Sequence, residues 1–191
     1  LLDVLSIVWL SVTVLFLSYG AFGYLKLKKK VSVFTEDEKG IRRCENIDSS
    51  FVFGIIRPKI YMPVNLSSGT EKHIIAHEKV HIKRLDHISK LLAYVALSVY
   101  WFCPLVWVWF ILLCRDIEYA CDERVIESYS NAERKEYAYA ILECSVRKPI
   151  FSACPISFGE IGVKERVKNT MSYKKPTFWI IIVFVILAIV L

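Results

Sequence analysis

Proline and glycine are scarce, 6 and 7 residues in a chain of 191, which excludes collagen-like, low-complexity and disordered classes. None of the six cysteines (Cys44, Cys103, Cys114, Cys121, Cys144, Cys154) stands in a CxxC pair. Without a framework spacing they read as reduced structural thiols in a cytosol-facing or membrane setting, not as a disulfide scaffold. The net charge of +6 is not accompanied by a stripe of interleaved arginines and aromatics, so direct nucleic-acid binding is not expected. What the chain has in excess is apolar surface. It is 55% hydrophobic with mean hydropathy +0.42, above the roughly 45–50% apolar share of soluble domains. The charged share of 23% is ordinary, so the excess is concentrated in stretches that surround a polar body. The length allows about one domain.

Three apolar stretches stand out. The first, Val4 to Tyr24, is long enough to cross a bilayer core, which needs ~20 helical residues. Lys26, Lys28, Lys29 and Lys30 follow it, and Lys174 and Lys175 precede the last stretch, Phe178 to Leu191. This is the positive-inside pattern of a chain that enters the cytoplasm at Lys26 and leaves it again. A cleaved signal peptide would carry its basic residues before the run. The chain starts at Leu1 and stops inside an apolar run, which reads as a segment of a longer polypeptide. The middle stretch, Leu91 to Leu113, also has the length of a span. Pro104 lies near its centre, removes a backbone donor and disfavours helical geometry at Cys103. The expectation is a bent helix pair that dips into the membrane and returns, since a single crossing would part the polar groups on either side.

Between the first two stretches, Asn46 to Pro63 is β-branched and aromatic with Gly54, Pro58 and Pro63 as punctuation, which predicts short strands or a hairpin. Ser68 followed by Glu71 has capping-box spacing, so a helix is expected to begin there. Ala132 to Val146 reads as an amphipathic helix packed on the core, and the Lys148 to Phe158 loop as exposed.

The chemistry centres on His77-Glu78-Lys79-Val80-His81, an HExxH motif on that capped helix. Residues four apart share a face, so His77 and His81 can direct both imidazoles at one Zn2+ ion, and Glu78 beside them can take a proton from a metal-activated water. A catalytic zinc has three protein ligands and an open position. Glu118 and Asp122 lie one turn apart after the middle stretch. Glu118 could complete the set and Asp122 could accept the free N–H of a ligand histidine, with Cys121, Asp116 and Glu123 as rival ligands. His73 precedes His77 by one turn but no glutamate follows it; it and His87 are expected to be surface or supporting residues.

These motifs, together with Phe53–Pro63, Trp101–Trp107, Glu118–Val125 and Val163–Val167, resemble the membrane metallopeptidase family of BlaR/MecR-type β-lactam-sensing transducers. The resemblance implies a mainly α integral membrane protein with a small β element, whose gluzincin-like zinc protease domain lies between two transmembrane helices. The expected division is residues 1–25 as a transmembrane helix, 26–175 as a cytoplasmic-facing domain with a membrane-embedded hairpin at 91–114, and 176–191 as the start of another transmembrane helix. It implies His77, His81 and Glu118 as zinc ligands and Glu78 as general base. It also implies a signal-transducing endopeptidase, relevant to antibiotic resistance, that cleaves itself or a DNA-binding repressor. The lipid bilayer is the other expected partner, and a homo-oligomer is compatible with the sequence. An HtpX-like or prenyl-protease-like membrane gluzincin, or a non-enzymatic scaffold fastened by zinc, would share parts of this pattern. No oxyanion donor follows from the sequence; Arg124, Tyr119 and Tyr129 are candidates by proximity alone.

Overall fold

A computed structural model describes residues 2–38, 40–146 and 162–173; the expected loop at 148–158 and the last apolar run lie outside these. The first apolar stretch is helix α1 (Leu2–Lys30), about 43 Å long at 1.5 Å per residue. Among the described residues it is the one helix long and apolar enough to cross a bilayer. Most of its apolar side chains are exposed, while Thr13 and Gly20 are buried.

A four-stranded sheet follows, formed by β1 (Thr35–Glu36), β2 (Arg42–Cys44), β3 (Phe51–Phe53) and β4 (Lys59–Pro63). Its order is β1-β2-β4-β3. The β3–β4 pair is an antiparallel hairpin with Val52 opposite Ile60, and β2 joins β4 in parallel. The hairpin falls in the stretch whose composition marks strands. β1 and β2 are too short and polar to carry an alternation signal. At the turn, Gly54 has φ +117°, and a Cβ there would meet the Arg57 main chain at 2.8 Å, so only glycine fits.

Helix α2 (Ser68–Arg84) begins one residue earlier than the sequence suggests. Ser67 is the N-cap, and its hydroxyl accepts from the Thr70 amide. Glu71 does not close a capping box. It bonds instead to Arg43 of β2 at 2.6 Å, because the sheet packs beside this turn and a charged donor outcompetes a main-chain amide. Leu85, at φ 58° and ψ 33°, separates α2 from α3 (Asp86–Val99). It is the one described non-glycine residue at positive φ.

The middle apolar stretch is not one helix. The α3 helix ends at Val99, the chain turns through Tyr100–Cys103, and Pro104 opens α4 (Pro104–Ile126). Cys103 is extended (φ −98°, ψ 111°), as the residue before proline must be, and proline at the first helical position leaves no intrahelical donor unmet. Ala93, Tyr94, Leu97, Phe110 and Cys114 form the seam of this pair. The pair leans on α1: Tyr94 Oη donates to Phe16 O at 2.6 Å and Trp9 Nε1 to Val99 O at 2.8 Å. The tyrosine ring lies over Gly20, where a side chain would collide with it.

Helices α5 (Asn131–Val146) and α6 (Val163–Ser172) complete the described structure. Tyr137 and Ile141 of α5 pack with Val125 and Ile126 of α4, while Cys144 joins Ile41, Ile60, Met62 and Ile74 between the sheet and α2. The described cysteines, Cys44, Cys103, Cys114, Cys121 and Cys144, are free thiols.

Candidate metal centre

The reversal at Pro104 carries the second half of α4 back to α2. His77 and His81 present their Nε2 atoms to each other at 3.0 Å. Glu118 Oε2 lies 3.4 Å from His77 Nε2, and Oε1 lies 3.6 Å from His81 Nε2. Nitrogen and oxygen ligands about 2.0–2.1 Å from a tetrahedral ion stand roughly 3.3 Å apart, so the three side chains fit one small divalent cation. The thiol of Cys121 shares the place: its Sγ and the two imidazoles offer donor atoms all within 4.8 Å of one another. Asp116 and Glu123, the other rivals, are exposed on α4 and take no part.

The opposite ring nitrogens are fixed from behind. His81 Nδ1 bonds to Asp86 Oδ2 at 2.7 Å, a contact that the left-handed turn at Leu85 makes geometrically accessible. His77 Nδ1 meets Tyr137 Oη at 2.8 Å and Asp122 Oδ1 at 3.2 Å. Such partners set the tautomer and aim Nε2 at a metal. Asp122 is in turn gripped by Arg166 of α6, at 2.7 Å to each carboxylate oxygen. Arg166 Nη1 also lies 3.3 Å from Glu118 Oε2, and Lys90 Nζ lies 3.0 Å from Glu118 Oε1.

Glu78, Asp86, Glu118, Asp122 and Arg166 are all buried, and the Lys90 side chain is 14% exposed. Four carboxyl groups thus face two enclosed cations, with Arg84 reaching Asp86 only from the surface. The formal excess is two negative charges, which buried groups do not tolerate unpaired. One divalent ion, or protons on both imidazoles, neutralises it. The titration shifts have this origin. Burial opposes charge on His81, but Asp86, Cys121 and Glu118 raise it to about 11. Burial likewise opposes charge on His77, yet Tyr137, Cys121 and Asp122 hold it well above its ordinary value. For Glu118, Lys90, both histidines and Arg166 outweigh burial and keep the carboxyl well below the usual range. Asp122, also against burial, is drawn down to about 2 by Arg166 and His77.

Glu78 lies beside this group with Oε1 accepting from Ser50 Oγ at 3.1 Å. A cavity of about 180 Å³ opens here, lined among others by Ser50, Phe51, Glu78, Lys90, Glu118 and Arg166. The strand β3, at the sheet edge, forms one wall.

Several residues lie elsewhere than the sequence suggests. His73 is not on the surface; it is 2% exposed and packs between Tyr129 and Glu136, because its turn of α2 faces α5. His87 stands at the cavity rim with Nε2 donating to Ile55 O. Arg124 pairs with Glu127, Tyr119 lies under Arg115, and Tyr129 serves His73; none of these lines the cavity. Ser50, Asp86, Lys90, Tyr137 and Arg166 escaped the sequence reading as site residues. Asp86 and Lys90 do stand at i, i+4 downstream of the motif, and that spacing was the available signal. Tyr137 comes from a distant helix and left none; Arg166 lies in the Val163–Val167 stretch that carries the resemblance, without a role attached to it.

A family model described as BlaR1 peptidase M56 matches residues 1–170. The methicillin resistance mecR1 proteins of Staphylococcus aureus strain Mu50 and of Staphylococcus epidermidis are each 28% identical over 158 residues, covering 78% of this chain and 27% of theirs. The regulatory protein BlaR1 of Bacillus licheniformis is 28% identical over 141 residues, 70% of this chain and 24% of that protein. The chain therefore spans about a quarter of the length of these relatives. By the extent of the family match, the chain belongs to the BlaR1 peptidase M56 family.

Proposed function

We propose that the protein is an integral-membrane zinc metalloendopeptidase with a gluzincin-like site on the cytoplasmic side. The observation that carries this reading is the meeting of His77, His81 and Glu118 from two helices, with Glu78 at the same cavity wall. His77, His81 and Glu118 would hold the ion, and Asp122 and Asp86 orient the imidazoles. A bound zinc supplies Lewis acidity and lowers the pKa of water toward ~7. Glu78 then takes the proton of the attacking water and passes it to the departing amine, while Ser50 keeps its carboxylate turned to the cavity. An extended peptide can add to the free edge of β3 by main-chain hydrogen bonds, which asks little of its side chains.

The membrane placement rests on α1 and the α3–α4 pair. Tyr100, Phe102 and Leu105 at the tip are 53%, 58% and 76% exposed, and Trp9–Val99 sets the tip beside the far end of α1 from Lys26–Lys30. A hairpin that enters and leaves on the lysine side keeps both arms of the site in one compartment. In this reading residues 1–25 are a membrane helix and the peptidase domain follows from residue 26; the expected helix at 176–191 lies outside the described residues. The name of one relative, regulatory protein BlaR1, supports a regulatory role; self-cleavage or cleavage of a transcriptional repressor is the output proposed for it.

The decisive variant is Glu78→Gln. It should retain zinc and lose cleavage of casein or of the chain itself; unchanged proteolysis would refute the assignment of the base.

A further inference from the structure

Two acidic groups on one helix compete for the third position of the metal site. Glu118 and Cys121 are three residues apart on α4 and so share a face. They are 7% and 0% exposed. Glu118 already has a full set of partners among the protein's own cations, with Lys90 on Oε1 and Arg166 on Oε2. Cys121 faces the two imidazoles themselves and makes a weak hydrogen bond to the main chain. Its Sγ donates to the main-chain carbonyl of His77 at 3.3 Å, a bond that places the sulfur between the two imidazole-bearing turns of α2 and that is cheaply given up. Sulfur, imidazole nitrogen and carboxylate oxygen are all accepted ligands of zinc, and thiolate is favoured by the softer ions.

We propose that Cys121 is an alternative third ligand, so that the ion is held either by His77, His81 and Glu118 or by His77, His81 and Cys121. The inference rests on the reading of His77 and His81 as ligands. In the exchange a bond to Glu118 would break, one to Sγ would form, and the thiol proton would be released to solvent. Glu118 stays ionised on Lys90 and Arg166, and nothing is oxidised or reduced. Thiolate gives more charge to the ion than carboxylate does, so the sulfur-held form polarises water and carbonyl less. The two cations make the exchange reversible, because the released carboxylate is not left unpaired in the interior.

Cobalt(II) added to the metal-free full chain in detergent reads the ligand set directly. The wild type should give the visible bands of a four- or five-coordinate ion together with a near-ultraviolet sulfur-to-cobalt band. Glu118→Gln should intensify the sulfur band and Cys121→Ser should abolish it. Because wild type and Glu118→Gln both keep the cysteine, a folding defect in Cys121→Ser cannot conceal the answer. Visible bands without a sulfur band in the wild type and in Glu118→Gln overturn the proposal, as does a sulfur band that survives Cys121→Ser. Casein cleavage in that event would leave the peptidase reading standing. If folded wild type binds no cobalt, the metal reading and this proposal fail together.

Discussion

Arg166 on α6 holds both oxygens of Asp122 on α4 at 2.7 Å, and Asp122 in turn meets Nδ1 of His77 at 3.2 Å. The orientation of an HExxH imidazole therefore depends on a helix that follows it by most of the domain. Arg166→Lys keeps the charge but loses the fork that grips two oxygens at once. Metal affinity is expected to fall about 10–100-fold, measured by competition with a chelating dye. Arg166→Met removes the charge altogether, leaving Glu118 with Lys90 alone and buried Asp122 without its guanidinium, at a cost of about 3–5 kcal/mol, so it should express poorly or melt early.

The Asp122 shift gives an acid limit. Its carboxyl is lowered from 3.8 to about 2 in the folded chain, so the stability it contributes is present above pH ~4 and is lost as pH falls toward ~2, about 2 kcal/mol in all. His81 runs the other way. Raised to about 11, its proton stabilises the metal-free chain fully below pH ~6.5 and ceases to do so as pH climbs toward 11. Metal uptake at neutral pH must displace that proton. Calorimetry in buffers of different ionisation enthalpy should register proton release, and affinity should weaken as pH drops.

Leu85 supplies a test of stored strain. A leucine in the left-handed region costs about 1–2 kcal/mol relative to its preferred geometry, and this one is 52% exposed, so little burial compensates. Leu85→Gly should be neutral or stabilising by up to about 1 kcal/mol, while β-branched Leu85→Val should destabilise by about 1 kcal/mol or more. Denaturant unfolding of the two variants checks the sign.

The contact between α1 and the hairpin is similarly exposed to one substitution. Gly20→Leu would drive a side chain into the Tyr94 ring and part the helices where small residues let them approach. A loss of about 1–3 kcal/mol is expected, with melting of the purified chain in detergent as the readout.

What the sequence disclosed about this protein follows physical range. The α2 motif, the β3–β4 hairpin and the helix over Asn131–Val146 have local signals: an i, i+4 histidine pair, β-branched residues between glycine and prolines, and apolar residues at helical spacing such as Tyr137, Ile141 and Cys144. Ser68 was misread as the cap by one residue because Glu71 has a tertiary partner, Arg43, that no local pattern announces. His73, expected at the surface or as a supporting residue, is buried because its turn of α2 faces α5. The charge balance around Glu118 was illegible for the same reason: Lys90 precedes it by a whole hairpin and Arg166 follows it by two helices. Strands of two and three residues, such as β1 and β2, exist by pairing, β2 with β4 and β1 with β2, and carry no period of their own.

Zinc content is the most direct measurement. Full chain purified in detergent from zinc-supplemented medium should carry about one zinc per chain, and His81→Ala, which removes one of the two converging imidazoles, should carry at most about a tenth of that. A wild type free of zinc, or a His81→Ala variant as fully loaded as the wild type, would contradict the account.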